Sequence, residues 1–104
     1  EEALLLYRQV GDMLGEANCI LSLGDIDSEQ GERVKAYGYF IEALKLFERI
    51  PEPYSIGWTR RRLAQIGDDK SECRQHVQAA RAAWESIGFT ELVEELDEEF
   101  GASE

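Results

Sequence analysis

Between Ile20 and Phe47 the apolar positions follow the period of an α-helix twice, with a break between the two runs. Ala36, Phe40, Ala43 and Phe47 are spaced four, three and four residues apart, which sets them on one face of a helix. Two are alanines, so a neighbouring helix can approach closely there, and two are phenylalanines that fill the space on either side. The run before it carries Ile20, Leu23 and Gly24 as one stripe. A glycine inside a helix costs about 1 kcal/mol relative to alanine, so Gly24 reads as a point of close contact with the partner helix. Gly31, between Gln30 and Glu32, supplies the turn, because glycine accepts the left-handed conformation that often ends a helix.

The same reading extends along the chain. Residues 1–10 have the pattern of a helix, Gly11-Asp12 reads as a turn, and residues 14–29 and 33–49 form the first helix pair. Pro51 and Pro53 then break the helix, since proline lacks the backbone donor and clashes with the preceding turn. Residues 54–66 and 70–87 form a second pair around a turn at Gly67-Asp68-Asp69, with Asp69 or Ser71 as the helix cap. Cys73, Val77, Ala80 and Trp84 repeat the register of Ala36, Phe40, Ala43 and Phe47 three residues short, so the first helix of this pair ends early. Gly88 ends the second. Thr90 is the expected cap of a last helix, 90–100, whose Leu92, Val93, Leu96 and Phe100 share a face opposite a nearly continuous acidic one. The chain starts within a helical pattern and without methionine, which reads as a piece of something longer.

Internal repetition is the strongest of these signals. Ala3, Tyr7 and Val10, then Ala43, Phe47 and Ile50, then Ala80, Trp84 and Ile87 all place alanine, an aromatic and a β-branched residue at spacings of four and three. The alanines recur after 40 and then 37 residues. The stretch 23–47 resembles a tetratricopeptide repeat, a two-helix unit that stacks into solenoids. Leu23 and Gly24 stand at the family's Leu-Gly pair, Ala36 at its first helix-B alanine, Phe40 at its aromatic and Ala43 at its second alanine. Leu63 and Ala64 take the Leu-Gly place in the second pair. The chain departs from the pattern where Ile20 stands for tryptophan, Asp27 for tyrosine and Glu48 for the closing proline. The repeat is longer than the common unit of about 34 residues, and Gly11-Asp12 with Gly15-Glu16-Ala17 resembles an extended subtype. The resemblance implies an all-α, right-handed superhelix comprising a leading half-repeat, repeats at 14–49 and 54–87, and a capping helix at 90–100 whose polar back faces water, all within one domain, 1–104.

Composition narrows the function. The 104 residues suffice for one small domain. No apolar run is long enough to span a membrane, and the acidic start EEALLLYRQV is no signal peptide. Acidic residues outnumber basic ones 22 to 11, for a formal charge of −11, which argues against nucleic-acid backbones as ligands. Cys19 and Cys73 lack metal-ligand spacing and read as free, buried thiols of a reduced, cytoplasmic setting. His76 stands alone beside the buried stripe. Paired with Cys73 at a spacing of three it makes half of a metal or nucleophile site at most. The run Asp97-Glu98-Glu99 reads as a solvated face. No phosphate loop or catalytic signature is present, so neither an enzyme, nor a cofactor, nor a metal is expected.

The resemblance also locates a surface. The inner curve of tetratricopeptide arrays is lined by first-helix residues that point away from the second helix. Here these are Asn18, Leu21, Asp25 and Ser28, then Trp58, Arg61, Arg62 and Gln65. Arg60–Arg62 is the one basic run in an acidic chain, and arginine and tryptophan often carry binding energy. The expected function is protein–protein interaction, with an acidic or carboxylate-ending peptide held in the groove by Trp58, Arg61 and Arg62. Against it stands the simpler reading that these arginines decorate a helix and pair with nearby glutamates. The family's carboxylate clamp uses a lysine and asparagine set that this chain lacks. The alternative function is a structural cap of a larger signalling or regulatory protein, whose Leu4, Leu5 and Leu6 on the leading helix would support homodimerisation.

Overall fold

The computed structural model describes the backbone of residues 2–101 and the side chains of residues 9–101. All of its regular structure is helical: α1 (Glu2–Glu29), α2 (Arg33–Arg49), α3 (Pro53–Ile66), α4 (Lys70–Ser86) and α5 (Thr90–Phe100). The contacts divide it into two compact units, 1–52 and 53–104.

Unit 1 is the hairpin of α1 and α2. Its turn follows from Gly31, whose φ of +81° lets Gly31 N–H reach Ser28 C=O and Glu32 N–H reach Asp27 C=O at 3.1 and 2.8 Å. This pair of bonds satisfies carbonyls that the last turn of a helix leaves without partners. Ala36, Phe40, Ala43, Leu44 and Phe47 on α2 are buried, as are Ala17, Ile20 and Gly24 on α1. A Cβ added to Gly24 would lie 2.5 Å from the Phe40 ring, so this glycine is where α2 comes close.

Two expectations in this unit are corrected. Gly11-Asp12 is no turn, and α1 continues through it. Glycine weakens a helix by about 1 kcal/mol but keeps its N–H, and neither Gly11 nor Gly15 takes a positive φ. At 1.5 Å per residue α1 spans about 42 Å and α2 about 25 Å, so the start of α1 runs beyond what α2 can cover. The second correction concerns Leu23, which is 46% exposed. The buried face of α1 runs through residues 17, 20 and 24, and Leu23 stands about 100° away from Gly24 around the helix axis. The side chains of Ala3 to Tyr7, invoked for the repeat and for dimerisation, lie outside the described residues.

Unit 2 holds α3, α4 and α5. Pro53 opens α3, a position where the missing N–H costs nothing. Asp69 caps α4, its carboxylate accepting from the N–H groups of Ser71 and Glu72. Gly88, at φ +77°, ends α4 with the same bond pattern as Gly31: Gly88 N–H to Glu85 C=O and Phe89 N–H to Trp84 C=O. Phe89, not Thr90, is the N-cap of α5, and no side chain bonds there. Ala80, Trp84, Val93 and Leu96 form the buried core, joined by the half-buried Trp58, Val77, Leu92 and Phe100. The buried face of α4 comprises His76, Ala80 and Trp84, while Cys73 is only half-buried and Cys19 on α1 is exposed. Both thiols are free, but the burial expected of them is absent. A spacing of four between 76, 80 and 84 sets His76, and not Cys73, on the buried face of α4, and the half-buried Cys73 meets α3 through its thiol at the Ala64 carbonyl.

Candidate functional site

The residues assigned to a groove fall in both units, and each set occupies one side of its own helix. On α1, Asn18 is exposed and Leu21, Asp25 and Ser28 are half-buried. The Asn18 carbonyl accepts from the Ser22 hydroxyl at 3.0 Å. The richer set is on α3. Positions 58, 61, 62 and 65 come round every three or four residues, so they line up along the helix.

That line carries the polar geometry of unit 2. Arg61 Nε donates to Glu99 Oε1 at 2.7 Å, and Gln65 Nε2 donates to Glu99 Oε2 at 2.7 Å. One turn of α3 thus holds both oxygens of a carboxylate with separate donors. The Arg61 guanidinium lies 5.2 Å from the centre of the Trp58 ring, an arrangement in which the ring's negative face attracts the cation. Arg62 turns back to its own helix and donates to the Trp58 carbonyl at 3.3 Å.

Trp58 is itself held from beneath. The Trp84 ring meets it edge-on at 5.1 Å and Tyr54 does so at 6.3 Å. Trp84 is fully buried, and its indole N–H donates to the Tyr54 carbonyl at 3.1 Å. Gly57 makes this possible: a Cβ there would stand 2.1 Å from Trp84 Nε1. Phe89 adds a tilted ring 5.5 Å from Tyr54. The aromatic floor fixes where the Arg61 side chain can lie.

The other candidate chemistry separates. His76 is 7% exposed, and its Nδ1 stands 3.0 Å from Arg60 Nη1. Arginine has only donors, so Nδ1 accepts and carries no proton. Burial and the Arg60 charge both lower the pKa of His76 from its usual 6.5. The Cys73 thiol points elsewhere, to the Ala64 carbonyl at 3.5 Å, so the two do not combine. No group of His, Cys, Asp and Glu among the described residues could hold a metal ion, and no described helix is long and apolar enough to cross a membrane.

Because neutral His76 is favoured when folded, acid destabilises unit 2. Below pH 6.5 the unfolded chain takes up a proton at this position that the folded chain refuses, so stability falls as pH drops. The slope is at most about 1.4 kcal/mol per pH unit. His76→Gln keeps an acceptor for Arg60 and should flatten urea midpoints, followed by tryptophan fluorescence, between pH 6.5 and about 5, above the carboxylate range. An unchanged slope would refute the assignment.

Sequence reasoning missed Glu99, which reads as part of a solvated acidic face, and Gly57, whose spacing of three or four from any apolar neighbour is not distinctive. Comparison with family models, with curated proteins and with solved structures finds no match.

Proposed function

We propose that this chain is a tetratricopeptide-like scaffold, part of a right-handed helical array, that binds an acidic segment of a partner protein through the exposed side of its first helices. Each unit contains a helix hairpin whose second helix has 17 residues. In each, the alanine and the aromatic four residues on, Ala43 with Phe47 and Ala80 with Trp84, are fully buried. This supports the repeat reading.

The binding reading rests on one observation: Arg61 and Gln65 grip both oxygens of one carboxylate, that of Glu99, a contact that also meets the simpler reading in which the arginines pair with nearby glutamates. Two-pronged contacts to an ionised group are shorter and stronger than neutral hydrogen bonds and restrict its orientation. Arg61 carries the charge, Gln65 the second donor, and Trp58 the platform beneath.

Fluorescence polarisation of a fluorescein-labelled hexaglutamate peptide at low salt tests this directly. Arg61→Ala should weaken binding about tenfold or more, the effect of losing a charged hydrogen bond of about 1.5–3 kcal/mol, and added salt should weaken the wild type. Equal binding by wild type and Arg61→Ala would discard the site.

A further inference from the structure

We propose that Glu99 is a ligand mimic carried by the chain itself: α5 fills the carboxylate site of α3 with its own side chain, and a partner's acidic group binds by displacing it. The inference rests on the function proposed above and adds its regulation.

Three observations carry it. First, Glu99 reaches the donors across 38 and 34 residues of sequence, and each of its oxygens has its own donor. A glutamate merely solvated on an acidic face has no reason to meet both. Second, α5 is held by other means. Val93 and Leu96 are buried in the core with Ala80 and Trp84, and Asp97 pairs with Arg81. The Glu99 side chain can therefore swing away without the helix leaving. Third, the contact is shallow, with Arg61 20% and Glu99 30% exposed. Pairs this open are held weakly and exchange readily, as a displaceable occupant must.

The expected size follows from that weakness. The closed form of an exposed pair outweighs the open form by roughly 1.4- to 5-fold. Removing the internal competitor should tighten an external acidic ligand by about two- to sixfold.

The same labelled hexaglutamate serves as probe, with wild type, Glu99→Gln, Glu98→Gln, Arg61→Ala and the Arg61→Ala/Glu99→Gln double variant. Glu98 is the exposed neighbour, so Glu98→Gln removes the same net charge and reports general repulsion alone. Glu99→Gln should bind about two- to sixfold tighter than both wild type and Glu98→Gln, and the gain should vanish in the double variant. The Arg61 Nε–H resonance should also shift in Glu99→Gln without peptide. If wild type binds in an Arg61-dependent way but Glu99→Gln matches Glu98→Gln, the mimic is wrong and the binding site stands. If neither wild type nor Glu99→Gln binds more than Arg61→Ala does, both fall.

Discussion

Gly57→Ala is expected to destabilise unit 2 by about 3 kcal/mol, at the upper end of the cost of overpacking a core. One methyl group does this because of what it meets. The added Cβ would sit 2.1 Å from Trp84 Nε1 and 2.3 Å from Cε2, well inside any contact distance. The indole cannot retreat easily. It is fully buried, bonded to the Tyr54 carbonyl and flanked by Trp58. Moving it breaks a buried hydrogen bond as well as the packing, and the unpaired N–H then carries its own desolvation cost. Gly38→Ala is the matched control. Gly38 has nothing within 4 Å of its added Cβ and lies inside α2, so alanine should stabilise that helix by about 0.5–1 kcal/mol. Both tryptophans belong to unit 2, so fluorescence-detected urea unfolding reads Gly57→Ala in that unit, and urea unfolding followed by far-UV circular dichroism reads Gly38→Ala in unit 1. A midpoint for Gly57→Ala within error of wild type would show that the helices do not approach there as described.

The two glycines show what a sequence can and cannot reveal. Gly24 stands out because it interrupts a helical stripe whose facing helix alternates alanine and phenylalanine. Gly57 plays the same part against Trp84, but it sits between Ile56 and Trp58, early in a helix where no register points to its partner. Period and spacing report which face of a helix is apolar; they do not report the depth at which an indole on another helix will lie. Helix ends are legible where a residue has one conformational use, as at Gly31, Gly88 and Asp69. They are illegible at Gly11, because a glycine permits a turn without demanding one. The candidate site obeys the same rule. Arg61 and Gln65 can be placed on one line from spacing alone, but the carboxylate they hold comes from the far end of the chain. Nothing local distinguishes Glu99 from Glu94, Glu95 or Glu98. Leu23 and Cys73 depart from their expected burial because motif register assigns residue types to positions, whereas burial depends on which elements are present to cover them.

Ala43→Phe should cost unit 1 about 3 kcal/mol or more, and it bears on the alanine–aromatic ladder from which the repeat was inferred. Ala43 is fully buried, and so are Phe40 and Phe47 on the same face of α2. Packed interiors have few voids larger than a water molecule, so a benzyl group added between two phenyl rings must push α1 and α2 apart or force strained rotamers. Glu42 is next in sequence and exposed; Glu42→Phe should stay within about 0.5 kcal/mol of wild type, as substitutions on open surface do. Far-UV circular dichroism is the appropriate probe, since unit 1 has no tryptophan. Moving volume within the face offers a sharper comparison. The Ala43→Phe/Phe40→Ala double variant keeps the total side-chain volume and should recover part of the loss, whereas Phe40→Ala alone costs about 3–5 kcal/mol. Strictly additive losses would mean that the two positions do not share a packed contact, and the case for close-packed hairpins in unit 1 would fail with it.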